Sequence, residues 1–99
     1  MDGFEWDPNK EVENVRKHGI GFTLASMIWQ GPVFERLDNR RDYGEARYQA
    51  FGVVDHRILT VAFTWRSPNR RLISARKANS REKRLYETEI SKQSTATPD

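Results

Sequence analysis

The spacing of apolar positions changes twice along this chain, and the changes divide it into elements. Phe4-Glu5-Trp6 alternates as a short strand does. Asp7-Pro8 then supplies an N-cap and a first-turn proline. A helix is expected to follow, burying Val12 and Val15 and stopping after His18, where Gly19 suits a left-handed residue. A second, short helix is expected with Thr23 as its cap, Phe22 and Met27 stapling its start, and Leu24, Met27 and Ile28 on one face. Gly31-Pro32 ends it. Residues 33–37 read as a strand and 38–44 (DNRRDYG) as a polar loop. From 47 to 77 the period becomes two, with β-branched and aromatic residues, as in an antiparallel meander. Asn79 and Glu82 stand at capping-box spacing ahead of a last helix that carries Leu85, Tyr86 and Ile90. The reading is an α+β fold, an antiparallel sheet with its helices packed on one face. Residues 1–90 make one domain and 91–99 (SKQSTATPD) a flexible polar tail.

Strand alternation sorts the meander into two faces. With Asp55-His56 as a two-residue turn, Glu45 falls opposite Arg66 and Arg47 opposite Thr64. With Ser67-Pro68-Asn69 as a three-residue loop, Arg66 faces Arg70 and Thr60 faces Arg76. One face then gathers Tyr48, Ala50, Val54, Leu59, Val61, Phe63, Trp65, Ile73 and Ala75, a core face. The other gathers Glu45, Arg47, Gln49, Thr60, Thr64, Arg66, Arg70, Ser74 and Arg76, with Phe51 and Leu72 among them as surfaces a base could lie against. Trp6, Trp29 and Trp65 read as core residues.

Composition sharpens this picture. The 99 residues are 36% hydrophobic and 31% charged, enough for one modest core. No run approaches the roughly 18 apolar residues of a membrane span, and the first residues do not read as a signal peptide. Cysteine is absent, which removes disulfides and thiolate metal sites and suits a cytoplasmic protein. His18 and His56 are the two imidazoles, His56 in a turn, so a zinc site has little support; neither a metal nor any other cofactor is expected. The net charge of +3 is uneven: −3 over residues 1–39, +8 over 40–84 and −2 over the remainder. Twelve of the seventeen basic residues are arginine, the side chain that best matches phosphate oxygens in pairs. An Arg-bearing sheet face with Thr, Ser and Gln donors can hold a sugar–phosphate backbone.

Several stretches also resemble one family. Phe4-Glu5-Trp6-Asp7, Lys10, Asn14, Lys17-His18-Gly19-Ile20 and Phe22 are similar to the opening of BrnT toxins. Gly44-Glu45-x-Arg47, Val61-x-x-Thr64-x-Arg66, Arg71-x-Ile73-Ser74-Ala75-Arg76-Lys77-Ala78 and Glu82-x-x-x-Tyr86 match their later motifs. The resemblance spans about residues 4–87. It implies a RelE- and ParE-like fold and a cytoplasmic ribonuclease toxin of a type II toxin–antitoxin pair that inhibits translation. The implied partner is a BrnA-like antitoxin that neutralises the toxin by direct binding and alone contacts operator DNA, so DNA is reached only through it.

Metal-independent RNA cleavage uses the ribose 2′-OH as nucleophile on the adjacent phosphate. It needs a base, a charge stabiliser for the phosphoryl oxygens and an acid for the leaving 5′ oxygen. Arg66 and Arg76 are expected as the stabilisers, and Arg47 as the residue that orients substrate. Glu45 and His18 are the expected proton carriers, with Lys17 and Tyr86 as neighbours of the substrate. Thr64, Ser74 and Arg70 are expected to bind it from the sheet. Two other readings share these residues: a ParE-like toxin that inhibits a protein such as a gyrase without cutting RNA, and a basic module that only docks an acidic partner.

Overall fold

The computed structural model describes residues 3–95. Along the chain run β1 (Phe4–Trp6), α1 (Pro8–His18), α2 (Phe22–Ser26), a 3₁₀ turn (Met27–Gln30), β2 (Phe34–Leu37), β3 (Tyr48–Val54), β4 (Arg57–Arg66), β5 (Asn69–Lys77) and α3 (Ser80–Thr95). The strands form one sheet in the order β1-β5-β4-β3-β2, antiparallel except where β1 joins β5 in parallel. This is an α+β fold. No helix among the described residues is long and apolar enough to cross a membrane.

Local chemistry explains most boundaries. The Asn9 N–H donates to Asp7 Oδ1 at 2.8 Å, Pro8 opens α1, and Gly19 closes it at φ +70°. The capping box of α3 forms in both directions: the Glu82 N–H donates to Asn79 Oδ1 at 2.8 Å, and the Asn79 N–H to Glu82 Oε1 at 3.0 Å. Asp55 and His56 take φ of 55° and 61°, the left-handed pair that a two-residue hairpin requires.

α1 differs from expectation in what it buries. Val12 is 68% exposed and Val15 also faces outward, while the polar Asn14 is buried. The Asn14 amide accepts from the Ala75 N–H at 3.0 Å and donates to the Ala75 and Ile20 carbonyls at 2.9 and 2.8 Å. β1 covers β5 only at Arg70–Leu72, so a backbone edge is left free beyond it; the amide satisfies that edge as a strand would. Thr23 is not the cap of α2. Gly21 holds that position, and Glu11 Oε2 accepts from the Phe22 N–H at 2.7 Å.

The core lies between the sheet and the segment from Ile20 to Trp29, with Phe22, Ile28, Leu59, Val61, Phe63 and Leu72 fully enclosed. Removal of each such side chain from water contributes about 1.5–3 kcal/mol. Gly52 lets the 3₁₀ turn reach β3: an added Cβ there would lie 2.7 Å from Ile28 Cβ.

Helices on a single face describe only the first half of the chain. α3 crosses the opposite face, where Glu82 meets Thr60 and Arg76, and the Tyr86 hydroxyl donates to the Pro32 carbonyl at 2.9 Å. Phe51 stacks with Phe34 on that second face and is fully buried, so it offers no surface to a base. α3 also runs on through Ser91 to Thr95, into the stretch expected as a tail. The rest of that stretch, 96–99, lies outside the described residues.

The two hairpins fared differently. Between β3 and β4 the register is as expected, Val54 opposite Arg57 through Tyr48 opposite Phe63. Between β4 and β5 the connection is the two residues Ser67-Pro68, with Arg66 opposite Asn69, and the register then shifts by one between Ala62 and Phe63. Ile73 is the residue left over, and Thr60 faces Arg76 as expected. The bulge puts Leu72 in the core opposite Phe63 and turns Arg70 to the same face as Trp65. Arg71 takes the position on the second face that Arg70 was expected to hold.

Candidate functional site

The end of the second face that α3 leaves open is built by the entry to β3, the end of β4 and the start of β5. Thr64 is buried there, and its hydroxyl donates to the Ala46 carbonyl at 2.6 Å, fastening the entry segment onto β4. That bond leaves Thr64 as support and turns Glu45 and Arg47 toward Arg66. Arg66 Nη2 lies 3.3 Å from Glu45 Oε1, and Arg47 Nε 3.6 Å from Glu45 Oε2. One carboxylate therefore sits between two guanidinium groups, leaving a net positive charge. Arg66 is 54% exposed, and Glu45 is one-third exposed.

The neighbourhood holds residues that sequence reasoning did not single out. Tyr43 lies under Arg47, ring centroid to guanidinium 4.3 Å, and its hydroxyl donates to Asp38 Oδ2 at 3.1 Å. Asp38 is buried and accepts from Arg40 at 2.9 Å through each carboxylate oxygen. The Arg40 guanidinium holds the Asp38 carboxyl well below the usual carboxylate range, with the Arg40 N–H and the Tyr43 hydroxyl in support. The segment 38–44 is a polar loop, as expected, yet Asp38 gathers Arg40 and Tyr43 around itself and so supports Arg47 from below. Arg71 joins the same face, 2.7 Å from Glu5 Oε2. The signal available in sequence was the DNRRDYG run itself, with its acids, arginines and tyrosine in seven residues.

Arg76 is drawn out of this group. Its Nη1 and Nη2 donate to Glu82 Oε1 and Oε2 at 2.7 and 2.8 Å, a bidentate pair beneath α3. The Arg76 guanidinium lowers the Glu82 pKa to about 2, helped by the Asn79 N–H and the Thr60 hydroxyl, and Arg76 shifts upward in return. Arg70 is on the other face, its guanidinium 4.8 Å from the Trp29 ring and 4.5 Å from that of Trp65, and 3.1 Å from Glu35. Trp65, expected in the core, covers Arg70 from outside and remains 42% exposed. Tyr86 is buried, its hydroxyl committed to Pro32, and burial pushes its pKa up. Lys17, His18 and Ser74 do meet: they line one open hollow at the β5 edge, with Lys10, Glu13, Asn14 and Ile73. Ser74 pairs with Ala62, four positions along β4 from Arg66, a separation of about 13 Å. His18 and Glu45 thus belong to different parts of the surface.

An exposed sheet end in which an acid is held between two arginines, beside further arginines and a tyrosine, has the chemistry of a surface that receives phosphodiesters. The family model described as "Ribonuclease toxin, BrnT, of type II toxin-antitoxin system" matches residues 6–82, and the chain belongs to that family. It is a ribonuclease toxin family, so a cognate antitoxin is implied. No individual curated protein matches the chain.

Proposed function

We propose that this toxin cuts RNA at the Glu45–Arg66–Arg47 cluster, without a metal, and stops translation by doing so. The observation that carries the reading is the position of the Glu45 carboxylate between two guanidinium groups on an open surface. Glu45 takes the proton from a ribose 2′-OH, O2′ bonds to the adjacent phosphorus, and the P–O5′ bond breaks. The products are a 2′,3′-cyclic phosphate and a free 5′-hydroxyl, whose oxygen takes a proton from the solvent that the exposed site admits. Arg66 faces the phosphoryl oxygens and meets the charge that grows on them in the transition state. Arg47, held from below by Tyr43, orients the phosphate, and Arg71 extends the cationic surface beside it. Arg76 is assigned to Glu82 and the seating of α3 rather than to phosphate. Lys17, His18 and Ser74 contact a nucleotide flanking the cut. The cytoplasm is the compartment that fits such a target, and a BrnA-like antitoxin is the proposed partner, blocking the site by direct binding.

The test is incubation of purified protein with RNA in EDTA. Wild type is expected to cut, and Arg66→Ala to lose at least about 10²-fold in rate with its fold intact, as removal of a transition-state donor does. Glu45→Gln is expected to lose cleavage as well. RNA left whole by wild type in EDTA, or cut normally by Arg66→Ala, overturns the reading.

A further inference from the structure

β2 is the outermost strand of the sheet and pairs only with β3. The Asp38 N–H donates to the Arg47 carbonyl at 2.7 Å, and the alternation of an antiparallel pair then fixes which way each residue of β2 turns its backbone. Phe34 and Arg36 turn theirs to β3, whereas Glu35 and Leu37 each present an N–H and a carbonyl to the outside. Among the described residues nothing bonds to these four groups. The far edge of the sheet is treated differently, since Asn14 satisfies Ala75 where β1 stops covering β5. The side chains along β2 are also open to a partner. Leu37 is half exposed beside Tyr48 on one face. On the other, Arg36 is exposed, donates to the Gln49 amide oxygen at 3.0 Å and, among the described residues, meets no carboxylate.

We infer that β2 is the docking edge for the cognate antitoxin, which adds an extended segment to the sheet there, with an acidic residue beside Arg36 and an apolar one beside Leu37. Outward N–H and carbonyl groups at strand spacing are matched by another peptide backbone rather than by a nucleic acid. A second copy of this chain fits poorly, because the registers that overlap most of β2 with itself set Arg36 against Arg36 or Glu35 against Glu35. The toxin–antitoxin family supplies the protein partner. The inference rests on that part of the reading above and is independent of the cleavage chemistry. The position also accounts for neutralisation. Neighbouring strands lie about 4.8 Å apart, so the added segment runs roughly 10 Å from the β3 entry that carries Arg47. Past Leu37 it emerges beside Asp38, whose partner Tyr43 underlies Arg47. About three more extended residues, at roughly 3.3 Å each, span the distance to the Glu45 cluster.

The experiment measures backbone amide exchange by NMR in the full-length toxin, free and saturated with its cognate antitoxin. In the free toxin the Glu35 and Leu37 amides are expected to exchange fast; in the complex they should slow on the order of tenfold or more. Affinity for the antitoxin reads the same contact. Leu37→Pro removes an outward N–H that the free fold does not use, and Arg36→Glu reverses the charge that selects the partner. Each is expected to weaken antitoxin binding on the order of tenfold. Both variants should melt near the wild-type temperature and, without antitoxin, bind and cut RNA as wild type does. Slow exchange at Glu35 and Leu37 in the free toxin, fast exchange there in the saturated complex, or wild-type affinity in both variants overturns the inference. Self-association of the free toxin that Leu37→Pro abolishes would overturn it in favour of a second copy, and weakened RNA binding in either variant would overturn it in favour of nucleic acid. A wild type that cuts no RNA but protects Glu35 and Leu37 when the antitoxin binds leaves the inference standing and removes only the cleavage mechanism.

Discussion

Glu82 is where the structure makes its most quantitative claim. The carboxylate takes both nitrogens of the Arg76 fork, the Asn79 N–H and the Thr60 hydroxyl, and it is nearly enclosed. Its pKa falls from 4.5 to about 2 on folding. At about 1.36 kcal/mol per unit this sets a ceiling of about 3.4 kcal/mol for the ionised form. The Arg76 side chain is 34% exposed, so solvent screens the pair and about 2 kcal/mol is the working value. Because the folded pKa lies below the unfolded one, this stability is fully present above about pH 4.5 and is lost as pH falls toward 2. Glu82→Gln keeps the shape and removes the charge. It is expected to lose about 2 kcal/mol at pH 7, about 8–16 °C in Tm for a domain of this size. The gap to wild type should narrow below pH 4.5 and nearly close at pH 2. Urea titrations followed by tryptophan fluorescence at pH 7, 4, 3 and 2.5 measure it. A Gln variant within 0.5 kcal/mol of wild type at pH 7, or a gap that ignores pH, would refute the account of how α3 is seated. RNA cleavage by the Gln variant should match wild type under conditions where both are folded, since Arg76 is not assigned to the phosphate.

Two further substitutions probe the scaffold beneath the site. Asn14→Ala strips the β5 edge of its amide partner and leaves the buried Ala75 N–H unpaired; chemical denaturation should show a loss of about 2–3 kcal/mol, and a loss under 1 would mean water replaces the amide freely. Gly52→Ala drives a methyl into Ile28 and should cost about 1–3 kcal/mol by thermal melting, whereas an unchanged Tm would show that the 3₁₀ turn simply moves away.

Where short-range rules decide an element, the sequence was legible. Asp7-Pro8, Gly19, Asp55-His56 and the Asn79–Glu82 box each act within a few residues, so their chemistry can be read without the rest of the molecule. The first hairpin followed from its turn, and with it the pairing of Glu45 with Arg66, because strand alternation carries a correct turn outward to every later pair.

The amino-acid order alone thus determined the α+β class, the capped helices, the β3–β4 register and the presence of an arginine-rich face. Which arginines remain open on that face was decided only in three dimensions. Burying Leu72 against Phe63 required a bulge at Ile73, and the bulge exchanged Arg70 for Arg71 across the sheet. α3 closed over Phe51 and tied up Arg76, while Asn14 rather than Val12 met the sheet because an unpaired strand edge needed hydrogen bonds more than it needed a methyl group. These outcomes turn on partners distant in sequence, whose competing demands on the same side chains have no local signature.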